Sequence, residues 1–190
     1  MLAVFAHMIR SPSDAFWSCI ATAEPPDLGQ GPRANVKPYP LLTEEVSLFL
    51  AHRQIDSNRA DRLRAAALLY NDHHDEAHDI VQEMTDIDGA LIHGILHRRE
   101  PDYWNAKYWF RRFVAHPAHV ALGRRLAALA KTPDEAAQAR ALTLPGAFDP
   151  FEFVDACESA AKLPSTDPTT IWLRRVQHAE FEELVNHLLA

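Results

Sequence analysis

Six of the chain's eleven histidines fall between Tyr70 and Pro117, with two of its four tryptophans and the run HRREPDYWNAKYWFRR. Imidazole, guanidinium, carboxylate, carboxamide and indole groups this close together can do chemistry. Arg98, Arg99 and Arg112 are bidentate donors that suit a carboxylate or phosphate. Tyr108 and Trp109 offer a flat wall for a ligand, and Asn71, Asp72 and Asn105 add polar contacts. His93 or His97 with Glu100 makes an acid–base pair. The stretch holds no serine, and Cys19 and Cys157 lie far from it. A reaction here would therefore run through water or proton transfer, not through an acyl-enzyme. The reading preferred on these residues is a pocket for a small anionic or polyhydroxylated molecule.

Two other uses compete for the same residues. His74/His78 and His93/His97 are each spaced i, i+4, which places two nitrogens on one helical face, as a tetrahedral metal requires. The glutamate of an HExxH motif is missing from both pairs. Arg98 and Arg99 directly follow His97, and two fixed positive charges oppose a dication whose ligands should be neutral or anionic. A metal-free pocket is therefore expected, with zinc or iron at His74, His78, His93 and His97 as the alternative. The third use is structural: arginines bridging helix ends, paired by Glu100 and Asp102, since buried charges must be paired.

His97-Arg98-Arg99-Glu100-Pro101-Asp102, then Asn105-Ala106 and Tyr108-Trp109-Phe110-Arg111-Arg112, resembles a run shared by a family of bacterial and fungal proteins. The preceding Asn71-Asp72-His73 fits the same pattern. The resemblance covers residues 60–117 and implies a common fold. It brings no activity with it.

The elements that must position these groups read as helices. Val46, Phe49 and Leu50 follow Thr43 as a candidate cap, and Leu63, Ala67 and Tyr70 follow Asn58. After a turn at Asn71-Asp72, Ala77, Ile80, Val81 and Met84 recur at helical spacing, with Asp75, Asp79 and Glu83 on the outer side. Asp86 or Asp88 starts the helix of Leu91, Ile92, Ile95 and Leu96. His93 and His97 lie opposite that apolar face, beside Gly94. Glycine costs about 1 kcal/mol in a helix interior, so Gly94 implies a close neighbour and a central helix. Pro101 at N1 opens the next helix, with Ala106, Trp109, Phe110 and Phe113 on one face and Asn105, Tyr108, Arg112 and His116 beside it. Trp104 points away, and Pro117 ends or kinks this helix.

Thr132-Pro133, Asp149-Pro150 and Asp167-Pro168 each set a cap before an N1 proline. The last helix should pack through Ile171, Trp172, Val176 and Leu184. Residues 2–22 suit one or two short helices, with a restart capped by Ser13 or Asp14. Residues 23–40, with five prolines, read as a surface arm. No segment alternates at period two for long. The expected fold is all-α: one compact domain of antiparallel helical hairpins over residues 1–190, with residues 58–117 as its central polar module. The hairpins 59–70/75–84 and 88–98/102–114 are weakly repeat-like. Leu69-Tyr70 and Asp75-Glu76-Ala77 resemble a tetratricopeptide turn, but the offset is shorter than that repeat's 34 residues.

A net charge of −7 opposes a sequence-independent grip on nucleic acid, which needs clustered basic charge. The N-terminal apolar run has its arginine on the wrong side for a secretory signal, and no stretch suits a bilayer span. A cytoplasmic protein binding a small molecule, without nucleic-acid or membrane partners, is the expectation. The two cysteines read as buried small hydrophobes.

Overall fold

A computed structural model describes residues 11–190. The expectation for residues 2–10 lies outside the described residues. Among the described residues ten helices build the fold: α1 Pro12–Ile20, α2 Tyr39–Arg53, α3 Ser57–Tyr70, α4 His74–Val81, α5 Ile87–Arg99, α6 Tyr103–Phe110, α7 Pro117–Leu129, α8 Pro133–Ala141, α9 Pro150–Ala160 and α10 Pro168–Leu189. The fold is all-α. The only strands among the described residues are β1 (Thr143–Leu144) and β2 (Ala147–Phe148), an antiparallel pair. They turn at Gly146, whose φ of +88° suits glycine.

Thr132, Asp149 and Asp167 cap their helices as their sequence positions predict. Other starts differ from expectation. Ser11, not Ser13 or Asp14, caps α1 and forms a capping box with Asp14. The second helix begins at Tyr39, a turn before Thr43, because Pro40 falls in a first turn where proline is tolerated. Asp56 rather than Asn58 caps α3, and Asp86 caps α5. Asp102 is the cap of α6, which puts Pro101 outside the helix. Pro117 opens α7 behind a His116 cap instead of ending α6, which stops at Phe110.

The short connections Asn71–His73 and Glu100–Asp102 fold α3 onto α4 and α5 onto α6. Every residue of α5 from Gly89 to Arg99 is buried. That helix packs on α3, α4 and α6 and is the centre of the site region. Gly94 has the neighbour its sequence position implies: a Cβ there would stand 2.4 Å from the Phe110 ring. The glycine lets α6 close on α5.

A larger apolar cluster gathers α1–α6 with the end of α10, and a second gathers α7, α9 and the start of α10. Along α10, Trp172, Val176 and Leu184 are buried, but Ile171 is 44% exposed, since the inward stripe passes through Leu173 instead. Cys157 is buried and Cys19 half-buried, both as free thiols. No helix among the described residues is long and apolar enough to cross a membrane.

The proline-rich arm runs over residues 21–38, Tyr39 and Pro40 belonging to α2. It is clamped rather than draped. Arg174 donates to Pro25 O, Gln177 to Pro26 O and Asp27 O, and Arg99 to Asp27 O and Gly29 O.

Candidate functional site

Three of the four histidines paired by sequence spacing converge. His78 of α4 and His93 and His97 of α5 each present a ring nitrogen within 4.8 Å of the other two. His93 Nε2 and His78 Nε2 are 3.2 Å apart. The His93 ring stacks between neighbours, 4.8 Å from His97 and 3.8 Å from Trp109, both nearly parallel. His93 is almost fully buried, and its Nδ1 has no hydrogen-bond partner. Burial, with His97, His78 and Arg112 adding to it, pushes its pKa down to about 3. His93 is thus neutral under ordinary conditions.

His97 has its tautomer set by its partners. Nδ1 lies 3.0 Å from Glu100 Oε2 and donates to it, while Nε2 lies 3.1 Å from Asn105 Nδ2 and accepts. Glu100 and Asn105 hold the ring so that Nε2 is the unprotonated nitrogen, its lone pair engaged by the Asn105 amide. Such a nitrogen can accept a proton or ligate a metal.

Helix α6 supplies the rim. The Arg112 guanidinium lies 5.1 Å from the Trp109 ring centroid, exposed and with no ion-pair partner among the described residues. Tyr108 stands edge-on to Trp109 and stacks with the exposed Trp104 at 6.2 Å. His93, His97, Glu100, Asn105, Tyr108, Trp109 and Arg112 therefore share one region, with His78.

The other expected ligand-binding residues do not join them. Arg98 is fully buried, its fork on Glu180 at 3.2 and 2.5 Å, with Phe153 beneath it at 4.3 Å. Its charge and an His119 bond hold Glu180 at about 2 against a burial that would raise it. Arg99 is equally buried, bonded to Asp72 Oδ1 at 2.7 Å, Leu69 O and the arm. Asp72 also accepts from Arg33, and the two arginines lower its pKa despite burial. Asn71 donates to Ile20 O and accepts from Lys37 N. These four bind the arm, α3, α5 and α10 to one another. Apart from Arg98 Nε, which has no hydrogen-bond partner, their side chains are engaged with protein, which is the structural use foreseen for such arginines. Asp102 and Glu100 are not their partners; Asp72 and Glu180 are.

His74 is separate too. It lies beside an open cleft of about 290 Å³ lined by Gln30, Gly31, Pro32, Asp72 and the first turn of α4. Neither ring nitrogen makes a hydrogen bond, and burial, with Arg99 nearby, lowers its pKa to about 4. His116, expected on the α6 stripe, leaves it because α6 ends early. It forms a second cluster, with His116 Nε2 and His187 Nε2 at 2.8 and 2.9 Å from Asp88 Oδ1.

That cluster and the Glu180 network escaped the sequence reading. Glu180 did leave a sign: with Gln177 it falls on the inward stripe of α10, between Val176 and Leu184. A charge on an apolar stripe needs a buried partner.

Comparison with family models, curated proteins and solved structures gives no match to this chain. The chemistry of the site is accordingly read from its geometry.

Proposed function

We propose that the protein binds a small anion, a carboxylate or a phosphate, on the face formed by Arg112, Trp109 and Asn105 beside the histidine cluster. The observation that carries this reading is Arg112: a guanidinium held over an indole, exposed, unpaired and close enough to act on His93. A planar fork on a flat wall matches the oxygens of a carboxylate or phosphate. Its position beside a buried polar cluster separates it from an ordinary surface arginine.

The proposed site is narrower than the sequence suggests, because Arg98 and Arg99 are committed elsewhere. One guanidinium, one amide and one stacking wall favour a ligand with a single anionic group and a flat or compact body. Calorimetric titration of benzoate and of inorganic phosphate, with a chelator present, tests this. Binding of either that disappears in Arg112→Ala and weakens in Trp109→Leu supports the proposal. Binding unchanged in Arg112→Ala, or none of either anion, refutes it.

A further inference from the structure

We propose that His78, His93 and His97 form the ligand set of a divalent transition metal, with zinc as the reference ion. In a tetrahedral zinc site, Zn–N bonds of about 2.0–2.1 Å set neighbouring nitrogens about 3.3 Å apart. His78 Nε2 and His93 Nε2 already stand at 3.2 Å. The third ring nitrogen lies within 4.8 Å of both. Three imidazoles from two helices leave one coordination position open, the pattern of a reactive rather than a purely structural site.

The outer contact of His97 suits ligation, with the Asn105 amide giving up Nε2 to the metal, whereas the buried His93 Nδ1 has no acceptor. A metal-binding histidine usually donates its second N–H to a carboxylate or carbonyl, which fixes the tautomer and strengthens the ligand. His97 does so through Nδ1 to Glu100. Trp109, stacked on His93, walls the cluster on one side. Imidazole nitrogen favours zinc, copper, nickel and iron over magnesium or calcium. The electrostatic objection from Arg98 and Arg99 falls, although Arg112 still sets a positive charge beside His93. Arg98 and Arg99 follow His97 in the chain, but Glu180 and Asp72 neutralise them elsewhere in the interior.

The second histidine cluster is a useful contrast. His116 Nδ1 accepts the Ala118 N–H at 3.1 Å, so the neutral ring carries its proton on Nε2, the nitrogen facing Asp88. A metal there would meet a protonated nitrogen, and deprotonating it would leave an imidazolate. The Asp88–His116–His187 group is a hydrogen-bonded clasp, and the metal is assigned to the other cluster.

The metal site shares its neighbourhood with the anion site and stands separately from it, since anion binding is read with a chelator present and metal binding without added anion. The test is titration of cobalt(II) into chelator-stripped full-length protein purified without an affinity tag, followed by visible absorption, with folding checked by circular dichroism. Expected are the intense bands of tetrahedral cobalt at one equivalent, displaced by zinc. They should vanish in His78→Ala, a half-exposed position that spares the core, and in His93→Ala. Glu100→Gln should bind about 10–100-fold more weakly, and His187→Ala should bind as wild type. Folded wild-type protein without the bands, bands that survive His78→Ala, or bands lost in His187→Ala would each overturn the assignment.

Discussion

The guanidinium of Arg98 closes a two-pronged ion pair on the carboxylate of Glu180, 82 residues further along the chain, with neither side chain exposed. His119 adds a bond to the same carboxylate at 3.1 Å, so α5, α7 and α10 meet at one buried charge. Removing one member leaves the other charged and unsolvated. Arg98→Ala or Glu180→Ala should therefore cost about 3–5 kcal/mol, while an apolar replacement of both should recover much of it. Denaturant unfolding of the two single variants and an Arg98→Met/Glu180→Leu double variant checks this; near-neutral single variants would contradict it.

Stability should fall as pH drops below 6.5, in two overlapping stages. His74 and His93 have folded pKa values of about 4 and about 3 against an ordinary 6.5, so the unfolded chain binds their protons first and folding weakens as pH falls from 6.5 toward these values. Glu180 has a folded pKa of about 2 against 4.5, so its contribution is complete above 4.5 and is lost as pH falls toward 2. His74→Gln should make the upper stage shallower, leaving the share that His93 contributes, and should leave the lower stage in place. Chemical unfolding from pH 7 to 3 gives the comparison, and an unchanged upper slope in the variant would count against the buried neutral imidazole.

Much of this was legible in the sequence, and the boundary has physical causes. Caps followed by N1 prolines announced α8, α9 and α10, because local hydrogen bonding decides those starts. Gly94 announced a close neighbour, because nothing else recommends glycine inside a helix. The histidine cluster was half visible: i, i+4 spacing pairs His93 with His97, but only tertiary packing selects His78 over His74. Arg98 and Arg99 misled for the same reason. A guanidinium's partner is fixed in three dimensions, and Glu180 and Asp72 are far from the HRREPD run or outside it.

Gly94→Ala should destabilise although alanine is the better helix former. The propensity gain is about 1 kcal/mol, whereas the new methyl would sit 2.4 Å from a fully buried Phe110 ring. Overpacking of this kind costs about 1–3 kcal/mol. Adding Phe110→Leu should restore part of the loss. Thermal melts of the single and double variants decide it, and a stabilised Gly94→Ala would show that α5 and α6 are not so tightly closed.

Asp72→Ala should loosen the arm. Arg99 would lose its buried counter-charge, and Arg33 its tie to the α3–α4 turn, where Asp72 takes a φ of +64°. A loss of about 3–5 kcal/mol is expected, with protease cleavage shifting into residues 21–38. Limited proteolysis with mass mapping reports it; a wild-type cleavage pattern would mean that the arm is held by its contacts to α10 alone.

Anion binding at Arg112 is tested most directly by the melting temperature of chelated full-length protein against rising inorganic phosphate and benzoate. At about 100 times its dissociation constant a ligand stabilises by about 2.7 kcal/mol, a rise of about 5–10 °C for a chain of this length. The rise with at least one of the two anions should appear in wild type and in Arg124→Ala, an exposed arginine away from the cluster, and should be absent in Arg112→Ala. No rise with either anion, or an equal rise in Arg112→Ala, would contradict an anion site on Arg112 and Trp109.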